Sequence, residues 1–145
     1  MLCRGEWLLC DDGIVRPIMR GTILDGNGLW QDIKFLLDTG ADRTVISASV
    51  LEALNQKGVQ PKDRIGGVGG LAESVDVTTQ IRLVRDDGQW VTLRGTYAAC
   101  LEHEILDISV LGRDILNLFA VIVDRAADRV VLLHGADRYS ILPRA

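Results

Sequence analysis

Residues 36–46 have the sequence LLDTGADRTVI, in which an apolar segment runs directly into an acidic residue and a turn. The apolar residues before Asp38 predict a strand that enters a core and carries the carboxylate at its end. Thr39 and Gly40 predict a sharp change of direction, because Asp, Gly and small polar residues favour turns. Taken alone, the tripeptide favours an ordinary β-turn over a catalytic loop, since three residues are too few to be specific. The segments around it distinguish the two interpretations.

Short segments rich in β-forming residues surround this stretch along most of the chain. The predicted strands span residues 14–24, 29–37, 44–46, 64–68, 71–84, 90–98, 105–111, 120–123 and 129–133. Asp25-Gly26-Asn27-Gly28 and Asp87-Gly88 are typical hairpin turns between such strands. In residues 75–83, apolar and polar side chains alternate, which predicts one buried and one solvated face.

Two segments predict short helices. Residues 47–55 form the first, with Ser47 or Ser49 as its N-cap and Gly58 as its stop signal, and residues 112–118 form the second. Many short strands with two short helices predict an all-β, mostly antiparallel fold, either a small barrel or a sandwich.

The composition is that of a folded globular chain. Apolar residues make up 48% of the 145 residues, which excludes disorder and predicts a single domain over 1–145 with its motif-bearing core at about 14–134. A net charge of −4 offers no basic surface, so we expect no nucleic-acid partner. The cysteines Cys3, Cys10 and Cys100 form no CxxC pair, which argues against a disulfide framework or a zinc ribbon. The sequence lacks a signal-peptide pattern and a membrane-length apolar run, so we expect a cytoplasmic protein without a membrane partner.

Three segments, taken in order, resemble those of the retropepsins, the retroviral-type aspartic proteases and their cellular relatives. They are LLDTGADRTVI at 36–46, RIGGVGGL at 64–71 and ISVLGRDIL at 108–116. They look like the catalytic loop, the glycine-rich flap, and the apolar-apolar-Gly strand with its Arg and the helix that follows. Each segment alone is weak, but their order and spacing are specific, and the resemblance covers about residues 14–118. It implies a retropepsin-like acid protease barrel with one or two short helices.

The resemblance also implies a role for individual residues. Asp38, Thr39 and Gly40 correspond to the catalytic loop, in which Thr39 would lock two such loops together across a dimer. The implied substrate-binding residues are Ala41, Asp42, Gly67, Val68, Gly69, Ile108 and Val110. Gly112 and Arg113 are implied as structural support, with Arg113 expected to be a partly buried, bidentate partner of Asp42. The family requires neither a metal nor an organic cofactor.

Peptide hydrolysis by carboxylates requires one ionised and one protonated group that share a water molecule. The chain contains a single Asp-Thr-Gly and no Asp-Ser-Gly. A working site therefore requires a second copy of Asp38, most simply from a two-fold homodimer. The sequence thus predicts an endopeptidase that acts on a peptide or protein substrate, by limited proteolysis at apolar sites.

Two alternatives to this function stay open at this point. The first is a catalytically silent, retropepsin-like module for dimerisation or peptide binding, and the oligomeric state distinguishes it from the enzyme. The second is a chance match on an unrelated β-barrel. Other catalytic motifs fail: His103-Glu104 begins a zinc-protease pattern that ends in Asp107 instead of His, and the glycine cluster lacks the Lys-Ser/Thr of a phosphate loop.

The sequence departs from the family pattern in several places. Arg43 follows Asp42 where many viral members have a second acid, and Asp114 stands where many have Asn. Residues 120–133 look like the closing hairpin of pepsin-like lobes, which puts a viral type of terminal dimer sheet in doubt. Residues 3–10 could extend an interface strand, and residues 135–145 could be a tail, an interface strand or a segment near the cleft.

Overall fold

A computed structural model describes residues 2–56, 65–67, 70–134 and 139–143. The strands are β1 (Leu2–Arg4), β2 (Glu6–Leu9), β3 (Val15–Leu24), β4 (Trp30–Leu37), β5 (Val45–Ile46), β6 (Ile65–Gly67), β7 (Gly70–Ala72), β8 (Ser74–Val84), β9 (Trp90–Cys100), β10 (Ser109–Leu111), β11 (Phe119–Asp124) and β12 (Arg129–His134). The two helices are α1 (Ala48–Leu54) and α2 (Arg113–Leu116). The prediction of an all-β fold with two short helices is confirmed.

The largest sheet closes into a barrel. Its strands follow the order β2-β3-β4-β10-β5-β9-β8, and β3 also pairs with β8, so the sheet returns on itself. The β10–β4 and β5–β9 pairs are parallel, and the other pairs in this sheet are antiparallel. A second sheet has the order β1-β12-β11, and β6 pairs with β7. Closure pairs every strand from β3 round to β8 on both sides, and β2 is the edge strand of this sheet.

The barrel interior holds the main core, in which alternate residues of each strand point inward. On β8, Val77, Ile81 and Leu83 are buried as their alternation predicts. Phe35 and Ile46, on β4 and β5, are among the largest fully buried side chains. A second, smaller cluster consists of Val45, Ala98, Cys100 and Val110, with Ala41 and Leu106 packed against it. This second cluster connects the loop after β4, through Ala41, to β9 and β10.

Three predicted boundaries were wrong. The strand expected over 105–111 is only Ser109–Leu111, because residues 101–108 form turns in which the N–H of Ile105 bonds the carbonyl of Glu102 at 3.4 Å. Its apolar residues pack as a loop, with Leu106 against the second cluster. The helix expected over 112–118 is four residues long, since the chain leaves it at Asn117 to enter β11. The strand expected over 71–84 is divided between β7 and β8.

Several other local predictions hold. Ser47 rather than Ser49 is the N-cap of α1, and its hydroxyl accepts a hydrogen bond from the N–H of Val50. Asn55 ends this helix in a left-handed conformation, and Gly58 lies outside the described residues. The last two predicted strands form the antiparallel pair of β11 and β12.

The ends of the chain differ from each other. The residues of β1 and β2 pair within the chain, with β12 and β3, and so complete two of its sheets. Residues 139–143 have no regular structure, and Ile141 is 87% exposed. Cys3, Cys10 and Cys100 are free thiols. No helix among the described residues is long and apolar enough to cross a membrane.

Candidate active site

Asp38 lies immediately after β4, the strand that carries it out of the barrel interior. Phe35 and Leu37 anchor this strand in the core. The N–H of Asp38 donates to the carbonyl of Leu111 at 3.1 Å, so the parallel neighbour β10 fixes its backbone. The half-buried side chain accepts one hydrogen bond, at 2.9 Å from the N–H of Gly40 to Oδ1, and no other among the described residues. Most of the hydrogen-bonding capacity of this carboxylate is therefore unused among the described residues.

A tight turn follows, as the sequence predicts. The N–H of Ala41 donates to the carbonyl of Asp38 at 3.2 Å. A Cβ atom at position 40 would lie 3.2 Å from Oδ1 of Asp38, so glycine keeps the space beside the carboxylate open. Thr39 is exposed in the single chain, and Ala41 is half-buried against the second cluster.

The segment around α2 holds this loop from the side. The N–H groups of Arg113 and Asp114 donate to the carbonyls of Ala41 and Asp42 at 2.8 and 3.2 Å. Arg113 forms the predicted ion pair with Asp42. The expected geometry was wrong, because its guanidinium divides its donors between Asp42 and the carbonyl of Thr39, 3.2 Å away. The side chain is 45% exposed, which agrees with the expected partial burial.

A partly buried hydrogen-bond network behind the loop was not predicted from the sequence. Oδ1 of Asp114 accepts hydrogen bonds from the N–H and the hydroxyl of Thr44, at 2.9 and 2.7 Å, and from the N–H of Ile115 at 2.9 Å. The Thr44 hydroxyl oxygen in turn accepts from the N–H of Gly112 at 3.1 Å. Aspartate can therefore replace asparagine at position 114, because every bond that its side chain makes requires only an acceptor oxygen.

Gly112 is required by close packing rather than by its backbone angles. A Cβ atom there would lie 2.3 Å from the backbone carbon and 2.4 Å from the oxygen of Arg43. Nearby, the N–H of Ser47 donates to the hydroxyl of Ser109 at 2.9 Å, and both residues are buried. Polar Thr44 and Ser109 in otherwise apolar strands were the sequence signals for these contacts, but they did not identify the partners.

A groove of about 430 Å³ lies beside the end of β4, the strand that leads to Asp38. It is lined by residues 8–12, Arg16, Lys34, Leu36, 105–108 and Val110. Leu36 is two residues before Asp38, and Val110 lies opposite it on β10. The groove therefore includes the predicted substrate-binding residues Ile108 and Val110, and its other wall, formed by β2 and the turn after it, was not predicted.

The glycine-rich segment contains two short strands, β6 and β7, where the sequence predicted strands over 64–68 and 71–84. Gly67 pairs with Gly70 at the end of the β6–β7 ladder. Val68 and Gly69, the other two predicted flap residues, lie outside the described residues.

Both histidines lie on the surface, as expected. Nε2 of His103 is 2.7 Å from Oε1 of Glu52, which joins the 101–108 loop to α1. The His134 ring contacts Phe119 edge-on. Burial raises the pKa of the Cys100 thiol and that of Tyr97, the latter to about 12. The Cys100 thiol, in the second cluster, and the Tyr97 hydroxyl, near Asp114, therefore stay protonated at neutral pH.

A small closed barrel with an Asp-Thr-Gly loop at the end of a central strand defines the class of retropepsin-like aspartic proteases. Residues 19–115 match the family model described as aspartyl protease, and the chain belongs to this family. It is similar to a solved structure of EIAV protease complexed with the inhibitor HBY-793, with 28% identity over 70% of this chain and 86% of that chain, and a TM-score of 0.51.

A second solved structure, a retropepsin-like aspartic protease from Rickettsia conorii, matches over 91% of both chains, with 20% identity and a TM-score of 0.58. At that identity the similarity concerns the fold. No curated protein matches the chain.

Proposed function

We propose that this protein is an aspartic endopeptidase that is active as a homodimer, with Asp38 of each chain at the centre of one shared site. The observation that carries this proposal is the state of the Asp38 carboxylate. It lies at the end of a strand anchored in the core, it is half-buried, and it accepts a single hydrogen bond among the described residues. A carboxylate held in place with its acceptor capacity unused is suited to binding a water molecule and a second carboxylate.

The chemistry follows from bringing two such groups together. Two carboxylates about 3 Å apart cannot both be ionised, so the pair shares one proton, as in aspartic proteases generally. The ionised member removes a proton from the bound water, which attacks the peptide carbonyl carbon. The protonated member donates to the carbonyl oxygen, and the proton gained from water is later passed to the leaving amine. The pair titrates as a unit, so its acidities belong to the dimer.

The single chain supplies half of this site. Its sequence has one Asp-Thr-Gly, and Thr39 beside it is exposed. In a two-fold dimer the same surface meets itself, so one exposed Asp38 loop faces its own copy. The exposed Thr39 hydroxyl is then available for hydrogen bonds to the backbone of the partner loop.

The groove favours apolar side chains next to the cleaved bond. Leu36, Ile108 and Val110 form an apolar surface directly beside the loop that carries Asp38. An extended peptide that crosses Asp38 would bury a side chain on this surface and gain binding energy from the apolar area removed from water. This specificity favours limited proteolysis at apolar sites over general degradation.

The direct test is digestion of a peptide library between about pH 3 and 7 by the native protein and by Asp38→Asn. We expect the native protein to cleave next to apolar residues and the variant to lose at least about a thousandfold in kcat/KM. Asp32→Asn is the matched control, because Asp32 is exposed on the same strand and has no side-chain partner among the described residues. Cleavage that survives in Asp38→Asn contradicts the proposal.

Mixed dimers test the shared site. If both Asp38 carboxylates are required, equal amounts of native and Asp38→Asn chains give about a quarter of the native activity after exchange, because about a quarter of random dimers carry two intact copies. Independent active sites would give about half. A dimer that binds peptides but cleaves none at any pH identifies the protein as a catalytically silent binding module instead.

A further inference from the structure

The groove beside the catalytic loop has a charge pattern that the proposed hydrolysis does not use. Three carboxylates (Asp11, Asp12 and Asp107) and two cations (Arg16 and Lys34) line it together with its apolar surface. Their arrangement determines which charged residues a bound peptide can place there.

Two of these charged side chains, Arg16 and Asp12, form an ion pair with each other. Two nitrogens of Arg16 donate to the two oxygens of Asp12 at 2.9 and 2.7 Å, a bidentate contact. These bonds from Arg16, together with the N–H of Ile14, lower the pKa of Asp12 to about 2. The pair therefore stays ionised through the acidic range in which two carboxylates share a proton, and its two charges compensate each other there.

The remaining charges do not cancel. Among the described residues, the side chains of Asp11, Lys34 and Asp107 form no ion pair or hydrogen bond. Asp11 is exposed at the turn between β2 and β3. Three carboxylates and two cations leave the groove with one excess negative charge, and Asp11 is the carboxylate at this turn that has no partner among the described residues.

This turn lies at the catalytic end of the groove. The β3–β4 ladder ends with Ile18 opposite Leu36, so Arg16 and the turn before it extend past the end of β4, toward the level of Asp38. Lys34 is two residues further from Asp38 on the same strand. Asp11 and Lys34 therefore lie toward opposite ends of the groove, with Asp11 on the side where β4 ends.

The walls of the groove are also incomplete without an occupant. Leu9 is 67% exposed on the β2 side, and Ile105 is 45% exposed on the 101–108 side. Both line the groove, together with Leu36 and Val110 at its base. A large apolar side chain between these walls would cover apolar surface that now faces water.

We propose that the groove selects peptides that place a large apolar side chain between Leu9 and Ile105 and a lysine or arginine beside Asp11. This inference rests on the proposed function, because it takes the peptide across Asp38, and it adds a charge preference to that function. Asp11 is thereby a specificity-determining residue that contacts substrate but takes no part in the hydrolysis.

The test uses two fluorescent peptides that share a leucine-containing cleavage sequence and differ in one flanking position, Lys or Glu. Binding to Asp38→Asn is measured by fluorescence anisotropy at about pH 6, where carboxylates are ionised, and kcat/KM is measured with the native protein. We expect the Lys peptide to bind about three- to fivefold more tightly, the size of an exposed ion pair. The difference should shrink in high salt.

Variants then locate the source of the preference. Asp11→Asn should remove it, Asp11→Lys should reverse it, and Asp128→Asn should leave it unchanged. Asp128 is a suitable control because it is an exposed acid in the β11–β12 turn, outside the groove, at φ 54°, which asparagine tolerates.

The outcomes separate this inference from the proposed function. Equal binding of both peptides, or a preference that survives in Asp11→Asn, overturns the inference even if both peptides are cleaved. If the Lys peptide binds more tightly but neither peptide is cleaved, the inferred charge preference stands and the proposed endopeptidase activity is contradicted. If Leu9→Ser disrupts the dimer without altering peptide preference, a second copy rather than substrate covers this wall, and the inference is wrong.

Discussion

The two ends of β4 carry aspartate-containing turns that have opposite properties. Asp25 precedes the strand and Asp38 follows it. The Asp25 carboxylate is 5% exposed and accepts hydrogen bonds from the N–H groups of Asn27 and Leu29 and from the Gln31 amide, each at 2.8 Å. The Asp38 carboxylate is half-buried and, within the described part of the chain, accepts one hydrogen bond, from Gly40. The hairpin of Asp25 occupies most of the acceptor capacity of its carboxylate, whereas the acceptor capacity of Asp38 is largely available for chemistry.

The support of the two turns differs as well. Asp25 is bonded by residues two, four and six positions along the chain, so its hairpin is organised mainly by its own sequence. The Asp38 loop is held by Leu111, Gly112, Arg113 and Asp114, about seventy positions away. Hydrogen bonds that fix a carboxylate through its own oxygens occupy the lone pairs with which it would accept a proton. The loop is therefore fixed through its backbone and from behind.

The largest expected difference in stability between the two turns comes from a substitution in the backbone that supports Asp38. Gly112→Ala places a Cβ atom 2.3 Å from the backbone of Arg43, and neither segment can move without breaking the Thr44 network. We expect a loss of about 3 kcal/mol in the free energy of unfolding and a decrease of roughly 10 °C in Tm. Calorimetry and urea unfolding measure both.

Gly28→Ala is the matched control in the Asp25 turn. Gly28 has a φ of 81° with open space around its Cα, so alanine there costs about 1 kcal/mol of backbone strain and no overlap. Equal losses in the two variants would contradict the close packing inferred at Gly112.

A smaller disturbance removes the acceptor behind the Asp38 loop. Asp114→Ala leaves the N–H and hydroxyl of Thr44, which is 0% exposed, without their partner. We expect about 2 kcal/mol of destabilisation, together with a lower kcat on a peptide substrate and a nearly unchanged KM, because the loop loses its position rather than its binding surface.

Asp114→Asn is the control for this change. Its side-chain oxygen can accept the same three hydrogen bonds, so stability and kcat should both be close to native. A full loss of kcat in Asp114→Asn would show that the charge of Asp114, and not its acceptor oxygen, is what the site requires.

The same contrast explains how much of the molecule the sequence could predict. The strand β4, the Asp25 hairpin, the Ser47 cap and the alternation along β8 follow from residues close together in the chain, and they were predicted. The partners of Thr44 and the shape of 101–108 depend on contacts between distant segments, so periodicity alone could not supply them. Asp114 was noticed as a departure from the family pattern, and only the three donors around its oxygen explain it.

The groove shows a similar division. Ile108 and Val110 were expected near the substrate because of the segment that resembles the family, whereas residues 8–12 had no motif to mark them. Their place in the groove results from the β2–β3 pairing, which the sequence left open for residues 3–10. A charged turn can be assigned to a binding groove only once the strand register shows which strand lies beside it.

The smallest expected effect is on the pH dependence of stability that the Asp25 turn contributes. The hydrogen bond from Gln31, followed by those from Leu29 and Asn27, lowers the pKa of Asp25 in the folded protein. The unfolded chain therefore takes up this proton first as the pH falls. The stabilisation is fully present above the ordinary aspartate pKa of about 3.9 and is lost as the pH falls through the lower, folded-state pKa. Asp25→Asn should consequently be less stable than the native protein near pH 6, with a difference that shrinks below about pH 4.

Urea unfolding at a series of pH values measures this difference, and Asp32→Asn is its control. Asp32 is exposed, with no side-chain partner among the described residues, so its replacement should leave the acid side of the stability curve unchanged. A constant difference between native and Asp25→Asn at every pH would mean that Asp25 acts through the shape of its side chain. The two turns of β4 would then differ in packing, and the contrast between a saturated and an available carboxylate would lose its basis.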